Sequence, residues 1–289
     1  MSTNLDVKQL FGYEGKKVVV SGAFSGMGLA AVKLLSELGA TVYVICRRNG
    51  RHDEMPYPVE KILYADFGSK EDLDRLAEEL PEDIFAMFLC HGIALKSDAS
   101  NALEVQRVNF LGHKYLLEKA LHKVCDRGSV NIISSTGGYG WQDNVENCME
   151  VINTKTYEDT IEWYEAHPDV IQSGYVFSKQ CLCTYVKAMV HSPEYIDRKI
   201  RLNAINPGNT ITGLTDDFNR GTSPTGNAEE GKAVIESLFL ESWNGHWASA
   251  EEMGYPLVAI GSNLFSYMSG QVIYFDYGMS SVWEMDELV

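Results

Sequence analysis

Short apolar runs punctuate this chain at 17–21, 41–46, 61–65, 84–90, 129–134, 200–205 and 271–275, and stretches with helical spacing separate them. Runs such as KVVVS, TVYVIC and IFAMFLC are apolar without a polar alternation. Strands patterned this way must be covered on both faces, which favours a parallel sheet. Helical periodicity near 26–38, 70–80, 101–124, 174–191, 228–242 and 249–260 supplies the covers. The expected fold is therefore α/β: a doubly wound, Rossmann-type parallel sheet of about seven strands with helices on both faces. Ligands of such sheets bind beyond the carboxyl ends of the strands.

With 289 residues, 45% hydrophobic and 22% charged, the chain can bury a large core, and no linker divides it. It is read as one domain over 1–289. Residues 141–173 break the alternation; they are acidic, with helical patterning at 145–152 and 157–166. A strand-to-helix connection needs only a few residues, so this segment reads as an inserted helical hairpin on the rim of the site. It serves as surface decoration, or as a cover or oligomer-blocking element. A net charge of −16 argues against nucleic acid and against an anionic membrane surface. The N-terminus lacks a long apolar core and no run reaches the ~18–20 apolar residues of a membrane span. Six scattered cysteines form no Cys-x-x-Cys, and the seven histidines show no metal-ligand spacing. Free thiols, a cytoplasmic location and no metal are expected.

The first strand runs into Gly22-Ala-Phe-Ser25-Gly26-Met27-Gly28 and then an apolar helix. Glycines let the backbone turn sharply beside a pyrophosphate, and the helix N-terminus offers free N–H groups. At the end of the second strand, an acid would bind the ribose 2′-hydroxyl of NAD; the chain instead has Arg47 and Arg48. Guanidinium forks suit a 2′-phosphate, so NADP(H) is expected ahead of NAD. Asp66 and Phe67, after the third strand, stand where adenine would lie. Asp66 could equally cap the helix at 70–80, although Ser69 is the better cap.

Tyr-x-x-x-Lys occurs at Tyr57/Lys61, Tyr115/Lys119, Tyr175/Lys179 and Tyr195/Lys199. Position sorts the four. Tyr57 lies between Pro56 and Pro58, Tyr115 precedes the strand ending in Ser134-Ser135, and Tyr195 follows Pro193. Only Tyr175 opens a long apolar-periodic helix. There Tyr175 and Lys179 share one helix face. A phenol of pKa about 10 is a poor base, and an adjacent lysine cation is expected to lower that value. The phenol could then exchange a proton with a ketone or alcohol oxygen.

Gly22/Gly26/Gly28, Asp66, Val108-Asn109, Ile133-Ser134-Ser135, Tyr175/Lys179, Asn206-Pro207-Gly208 with Thr212, and Ser269-Gly270-Gln271 jointly resemble the short-chain dehydrogenase/reductase family. The resemblance spans nearly the whole chain. It implies a catalytic tetrad of Asn109, Ser135, Tyr175 and Lys179. Ser135 would orient the substrate oxygen and Tyr175 would move its proton. Lys179 would bind the nicotinamide ribose and tune Tyr175, and Asn109 would help hold a relay water. Pro207, Gly208, Thr210 and Thr212 would line the nicotinamide side. The family usually has Asn-Asn-Ala-Gly after the fourth strand; here Leu89-Cys90-His91-Gly92 keeps the glycine and introduces His91, which either packs or adds a titrating group. Bacterial 3α-hydroxysteroid dehydrogenase/carbonyl reductase enzymes share the long insertion, the Leu-Cys-x-Gly turn and a tail beyond Asp276-Tyr277-Gly278.

The resemblance thus implies an NADP(H)-dependent oxidoreductase acting on a secondary alcohol or ketone, with a hydroxysteroid or bile acid as the favoured substrate. Tyr139, Trp141, Phe218, Phe239, Trp243 and Trp247 offer flat apolar walls. The alternatives are a carbonyl reductase for non-steroid ketones and a non-catalytic, NADP(H)-binding regulatory protein. Family members commonly build tetramers through helices flanking the active-site strand. An acidic hairpin placed there implies a homodimer instead, formed near 271–275.

Overall fold

The computed structural model describes residues 6–47, 55–240 and 246–288. Its sheet has seven strands: β1 Lys17–Ser21, β2 Thr41–Cys46, β3 Lys61–Tyr64, β4 Ile84–Leu89, β5 Val124–Ile133, β6 Arg201–Pro207 and β7 Val272–Phe275. They lie in the order β3-β2-β1-β4-β5-β6-β7, and every neighbouring pair is parallel. The non-alternating strands are explained by burial on both sides. Val19 packs into one apolar layer, and Val18 and Val20 pack into the other. The first layer holds Phe110, Leu116, Phe177 and Leu182. The second holds Val32, Leu35, Leu257 and Val258. Among the described residues no helix is long and apolar enough to cross a membrane.

Three expectations need correction. The helix predicted over 101–124 is broken: Ala102–Gln106 is α-helical, Arg107–Leu111 is a π-helical turn and Gly112–Ala120 is α-helical again. β5 then starts at Val124, before its predicted start at 129. The helix predicted over 228–242 ends at Ile235 and continues as a π-helical turn over Glu236–Leu240, with 241–242 outside the described residues.

The hairpin forms as Val145–Ile152 and Tyr157–Ala166, followed by Pro168–Ile171. Thr156 and Asp159 make a capping box at the start of the second helix. The hairpin's apolar side is part of the core. Cys148, Val151, Ile152, Tyr157 and Tyr164 belong to the main core, and Trp163 stacks on Phe177 at 5.9 Å. Lys114 donates to the Thr154 carbonyl at 3.0 Å, and the Tyr157 hydroxyl donates to the Gly68 carbonyl at 3.0 Å. No residue of 141–173 lines the cleft at the carboxyl ends of the strands. Its acidic residues, including Glu146, Glu150, Glu158 and Glu162, face solvent.

The chain leaves this insertion through Gly174, whose φ of 47° and ψ of −96° suit only glycine. A Cβ there would lie 2.5 Å from the Leu95 side chain. The buried Gln106 amide donates to the Gly174 carbonyl at 2.6 Å. This pin sets where the Tyr175–Met189 helix begins. Gly174→Ala is expected to destabilise the fold by about 1–3 kcal/mol, from backbone strain and overpacking together. Chemical denaturation would measure it, and an unchanged midpoint would remove the pin from the account.

Candidate active site

The strand ends, the first glycine turn and the loop after β6 enclose a cleft of about 470 Å³, well within the size range of small-molecule sites. Gly22 turns with φ 63°, and a Cβ there would come within 2.9 Å of the Cys90 backbone. The turn therefore closes on the end of β4. The Gly26–Glu37 helix follows, and the Ser25 side chain makes no capping hydrogen bond to it. Its first N–H groups and positive dipole end remain available to an anion. These features fit the pyrophosphate of a dinucleotide.

Gly22, Ser25, Gly26, Met27, Gly28, Arg47, Asp66, Phe67, Gly92, Pro207, Gly208, Thr210 and Thr212 all line the cleft, as do Ser135, Tyr175 and Lys179. Arg48 and Trp243 lie outside the described residues. Asp66 accepts from the Gly68 N–H at 2.8 Å, whereas Ser69 caps the following helix by accepting from the Asp72 N–H. Of the substrate-side aromatics, Phe218, Phe239 and Trp247 line the cleft. Tyr139 and Trp141 do not; Tyr139 stands behind, packed against Trp283.

Tyr175 is hydrogen-bonded to Ser135 and meets Phe218 edge-on at 4.9 Å. Ser135 also accepts from the Gly137 N–H at 3.0 Å, while Ser134 points away and donates to the Lys179 carbonyl at 3.0 Å. Lys179 is 3% exposed; its Nζ donates to the Ile133 carbonyl at 3.2 Å and lies 5.4 Å from the Tyr175 ring centroid. Asn109 sits in the π-helical turn. Its amide donates to the Ile93 carbonyl at 3.0 Å and its oxygen accepts from the Ile93 N–H at 2.8 Å, so it clamps the turn beside Gly92. The other three Tyr-x-x-x-Lys tyrosines lie elsewhere. Tyr115 donates to Asp74 at 2.7 Å, Tyr195 is buried in the core, and Tyr57 packs on the other layer.

The expected lowering of the Tyr175 pKa does not occur in the protein alone. Burial pushes it up to about 12, and the hydrogen bond from Ser135 opposes that only in part. Burial also pushes Lys179 down to about 8. Both groups lose water on burial, and that loss sets the direction of each shift. His91 packs between Phe67, at 3.4 Å between ring centroids, and His113, at 3.8 Å. Its Nδ1 lies 2.7 Å from Ser21 Oγ. Burial holds His91 well below its ordinary range and His113 near about 3, so both are neutral packing groups at physiological pH. His113 was not anticipated, because nothing in its local pattern marks it. Among the described residues no cluster of His, Cys, Asp or Glu could hold a metal, and all six cysteines are free.

A doubly wound sheet with a glycine cradle after β1 and a Ser–Tyr–Lys group beside it defines a dinucleotide-cleft α/β protein of the dehydrogenase type. The comparisons agree. No protein-family model matches the chain. Coniferyl-alcohol dehydrogenase from Pseudomonas sp. (strain HR199 / DSM 7063) is 29% identical over 205 residues, 70% of this chain and 76% of that protein. Dehydrogenase/reductase SDR family member 6 from Rattus norvegicus is 23% identical over 274 residues, 92% of this chain and 98% of its own. The solved 3-alpha-hydroxysteroid dehydrogenase from Pseudomonas sp. B-0831, complexed with NADH, shares the fold with a TM-score of 0.74 at 19% identity, covering 93% of this chain and 99% of that one. These relatives and this shared fold support the resemblance to the short-chain dehydrogenase/reductase family and, with it, an oxidoreductase that uses a nicotinamide cofactor.

Burial of Lys179 has a stability consequence. Its folded pKa of about 8 lies below the 10.5 of an unperturbed lysine. Between these values the unfolded chain holds a proton that the folded chain has released, so stability rises with pH through that window and is lowest below 8. Lys179→Met should stabilise the ligand-free protein at pH 7 by on the order of 3 kcal/mol and flatten that rise. Unfolding curves from pH 7 to 10.5 would check both, and a destabilised variant with an unchanged pH slope would contradict the buried charge.

Proposed function

We propose that the protein is an NADP(H)-dependent oxidoreductase that interconverts a secondary alcohol and its ketone, with a hydroxysteroid or related neutral polycycle as substrate. The observation that carries this is Tyr175, hydrogen-bonded to Ser135 and facing an uncharged apolar wall. That wall is built from Leu214, Phe218, Ile235, Phe239 and Trp247. It suits a flat, neutral ring system; the carboxylate of a bile acid would have to extend into solvent.

Gly22, Gly26, Gly28 and Lys179 would hold the nicotinamide cofactor, which would supply or accept the hydride. Ser135 orients the substrate oxygen by a hydrogen bond. Burial keeps Tyr175 protonated at neutral pH, so in reduction it has a proton to give to the carbonyl oxygen once hydride arrives at the carbon. Such positioned proton transfer contributes about 10² to 10⁴-fold in rate. Lys179 is assigned the ribose hydroxyls of the cofactor, and Asn109, which clamps the Ile93 backbone beside Gly92, is assigned the holding of a relay water. In this reading Tyr175→Phe loses at least about 100-fold in kcat while its cofactor Kd stays within about threefold. Turnover assays with fluorescence titration would measure both. A variant retaining a tenth of the wild-type rate would overturn the assignment, and the same experiment separates an enzyme from a binding-only regulator.

The NADP(H) preference rests on Arg47, which lines the cleft at the end of β2. The solved hydroxysteroid dehydrogenase carries NADH, so fold does not decide this point. A guanidinium–phosphate contact is worth about 1.5–3 kcal/mol. Arg47→Ala should therefore weaken NADPH about 10- to 100-fold more than NADH, and a wild-type protein that prefers NADH would reject the reading. A second substrate class, planar aromatic alcohols, is favoured by the relative named for coniferyl alcohol. A panel of hydroxysteroids, bile acids, coniferyl alcohol and small ketones distinguishes the classes by kcat/KM.

The hairpin covers the Ala102–Ala120 and Tyr175–Met189 helices and presents exposed carboxylates. Like charges make self-association through that face costly. We assign the protein a homodimer built on the half-buried edge strand β7. Light scattering coupled to size exclusion should give twice the chain mass, and a tetramer burying the hairpin would refute the arrangement.

A further inference from the structure

Beyond β7 the chain makes a sharp turn through Asp276, Tyr277 and Gly278. Tyr277 and Gly278 have φ of 59° and 87°. The Asp276 carboxylate accepts from the Gly278 N–H at 2.9 Å and from the Ser280 N–H at 2.8 Å. It thereby caps the start of the C-terminal helix Met279–Leu288.

Half-buried Trp283 on this helix touches both flanks of the cleft. Its ring meets Tyr139 at 5.1 Å and 69°, and Phe239 at 6.3 Å and 73°. Tyr139 follows Ser135 by a short turn, and its carbonyl accepts from the Gln180 amide on the Tyr175–Met189 helix at 3.3 Å. A hydrogen bond to Glu287 ties the Tyr139 hydroxyl to the same C-terminal helix. Phe239 lines the cleft from the opposite side, whereas Trp283 and Tyr139 do not line it at all. Trp283 is therefore the spacer between the segment that carries Ser135 and the segment that carries the facing apolar wall.

We infer that Trp283 is a positioning residue that sets the width of the substrate cleft by fixing Phe239 relative to Ser135 and Tyr175, and so favours broad planar substrates over small ones. This rests on the proposed reading of the cleft as a site for neutral polycyclic alcohols and ketones. Removing the indole frees Phe239 to move, which costs a substrate that fills the cleft and leaves little to lose for one that does not.

The test measures kcat and KM of wild type, Trp283→Ala and Trp283→Phe with a steroid ketone and with cyclohexanone. Steroid binding is measured separately by calorimetry. Two edge-to-face contacts set the scale at about tenfold. Trp283→Ala should raise the steroid KM and Kd about tenfold and lower the steroid-to-cyclohexanone ratio of kcat/KM to match. Trp283→Phe should recover most of that ratio. A ratio and a steroid Kd both unchanged in Trp283→Ala would overturn the inference, as would an equal loss on both ketones. A wild type that binds and turns over neither ketone would reject the steroid reading and this inference with it. A wild type that discriminates as strongly as Trp283→Ala would reject the inference alone.

Discussion

The most demanding group in this molecule is the ammonium of Lys179. It is almost wholly withdrawn from water and has the Ile133 carbonyl as a direct partner. A charge in that position is tolerated only where the surrounding backbone is fixed. The fixing can be traced. Ser134, at the end of β5, hydrogen-bonds the Lys179 carbonyl. The helix that carries Lys179 starts at Gly174, whose carbonyl is held by Gln106. Gln106 immediately precedes the π-helical turn that contains Asn109, and Asn109 clamps Ile93 next to Gly92. Strand end, helix start and π-turn are thus set by one another around the buried Lys179.

The sheet was legible because its signal is local. Continuous β-branched and aliphatic runs identify two-sided strands, and glycine after β1 marks the turn. The hairpin helices at 145–152 and 157–166 were legible for the same reason. Their placement was not. An acidic composition reads as a solvated surface, yet every carboxylate lies on one face while Cys148, Val151, Tyr157 and Tyr164 enter the core on the other. The π-turn at Arg107–Leu111 was also invisible, since five residues cannot separate a π-helical period from an α-helical one. The helices Thr215–Thr222 and Met279–Leu288 escaped notice because the first is mostly polar and the second lacks a strong apolar stripe.

In the site, three of the residues that the family resemblance points to line one cleft, Ser135, Tyr175 and Lys179, and Asn109 is buried beside Gly92, where it clamps Ile93. The contacts that depend on distant chain segments were beyond local pattern. His91 and His113 stack across β4 and the helix that follows the π-turn, and Trp283 reaches Tyr139 from the far end of the chain. Arrangements of this kind are fixed by packing, and packing has no period to read.

Burial also corrects the simple picture of a lysine that makes its tyrosine acidic. When two groups share one apolar pocket, each loses hydration before either gains much from the other. Tyr175 moves up and Lys179 moves down, so both shift toward their neutral forms. In the proposed mechanism the protonated phenol would serve reduction, and the reverse reaction would need a phenolate, which a charged Lys179 would favour. An anionic ligand in the same cleft raises a lysine pKa by favouring the cation. Affinity for such a ligand and the charge on Lys179 are therefore linked: each stabilises the other, and the acid–base poise of Tyr175 is completed by what the cleft holds.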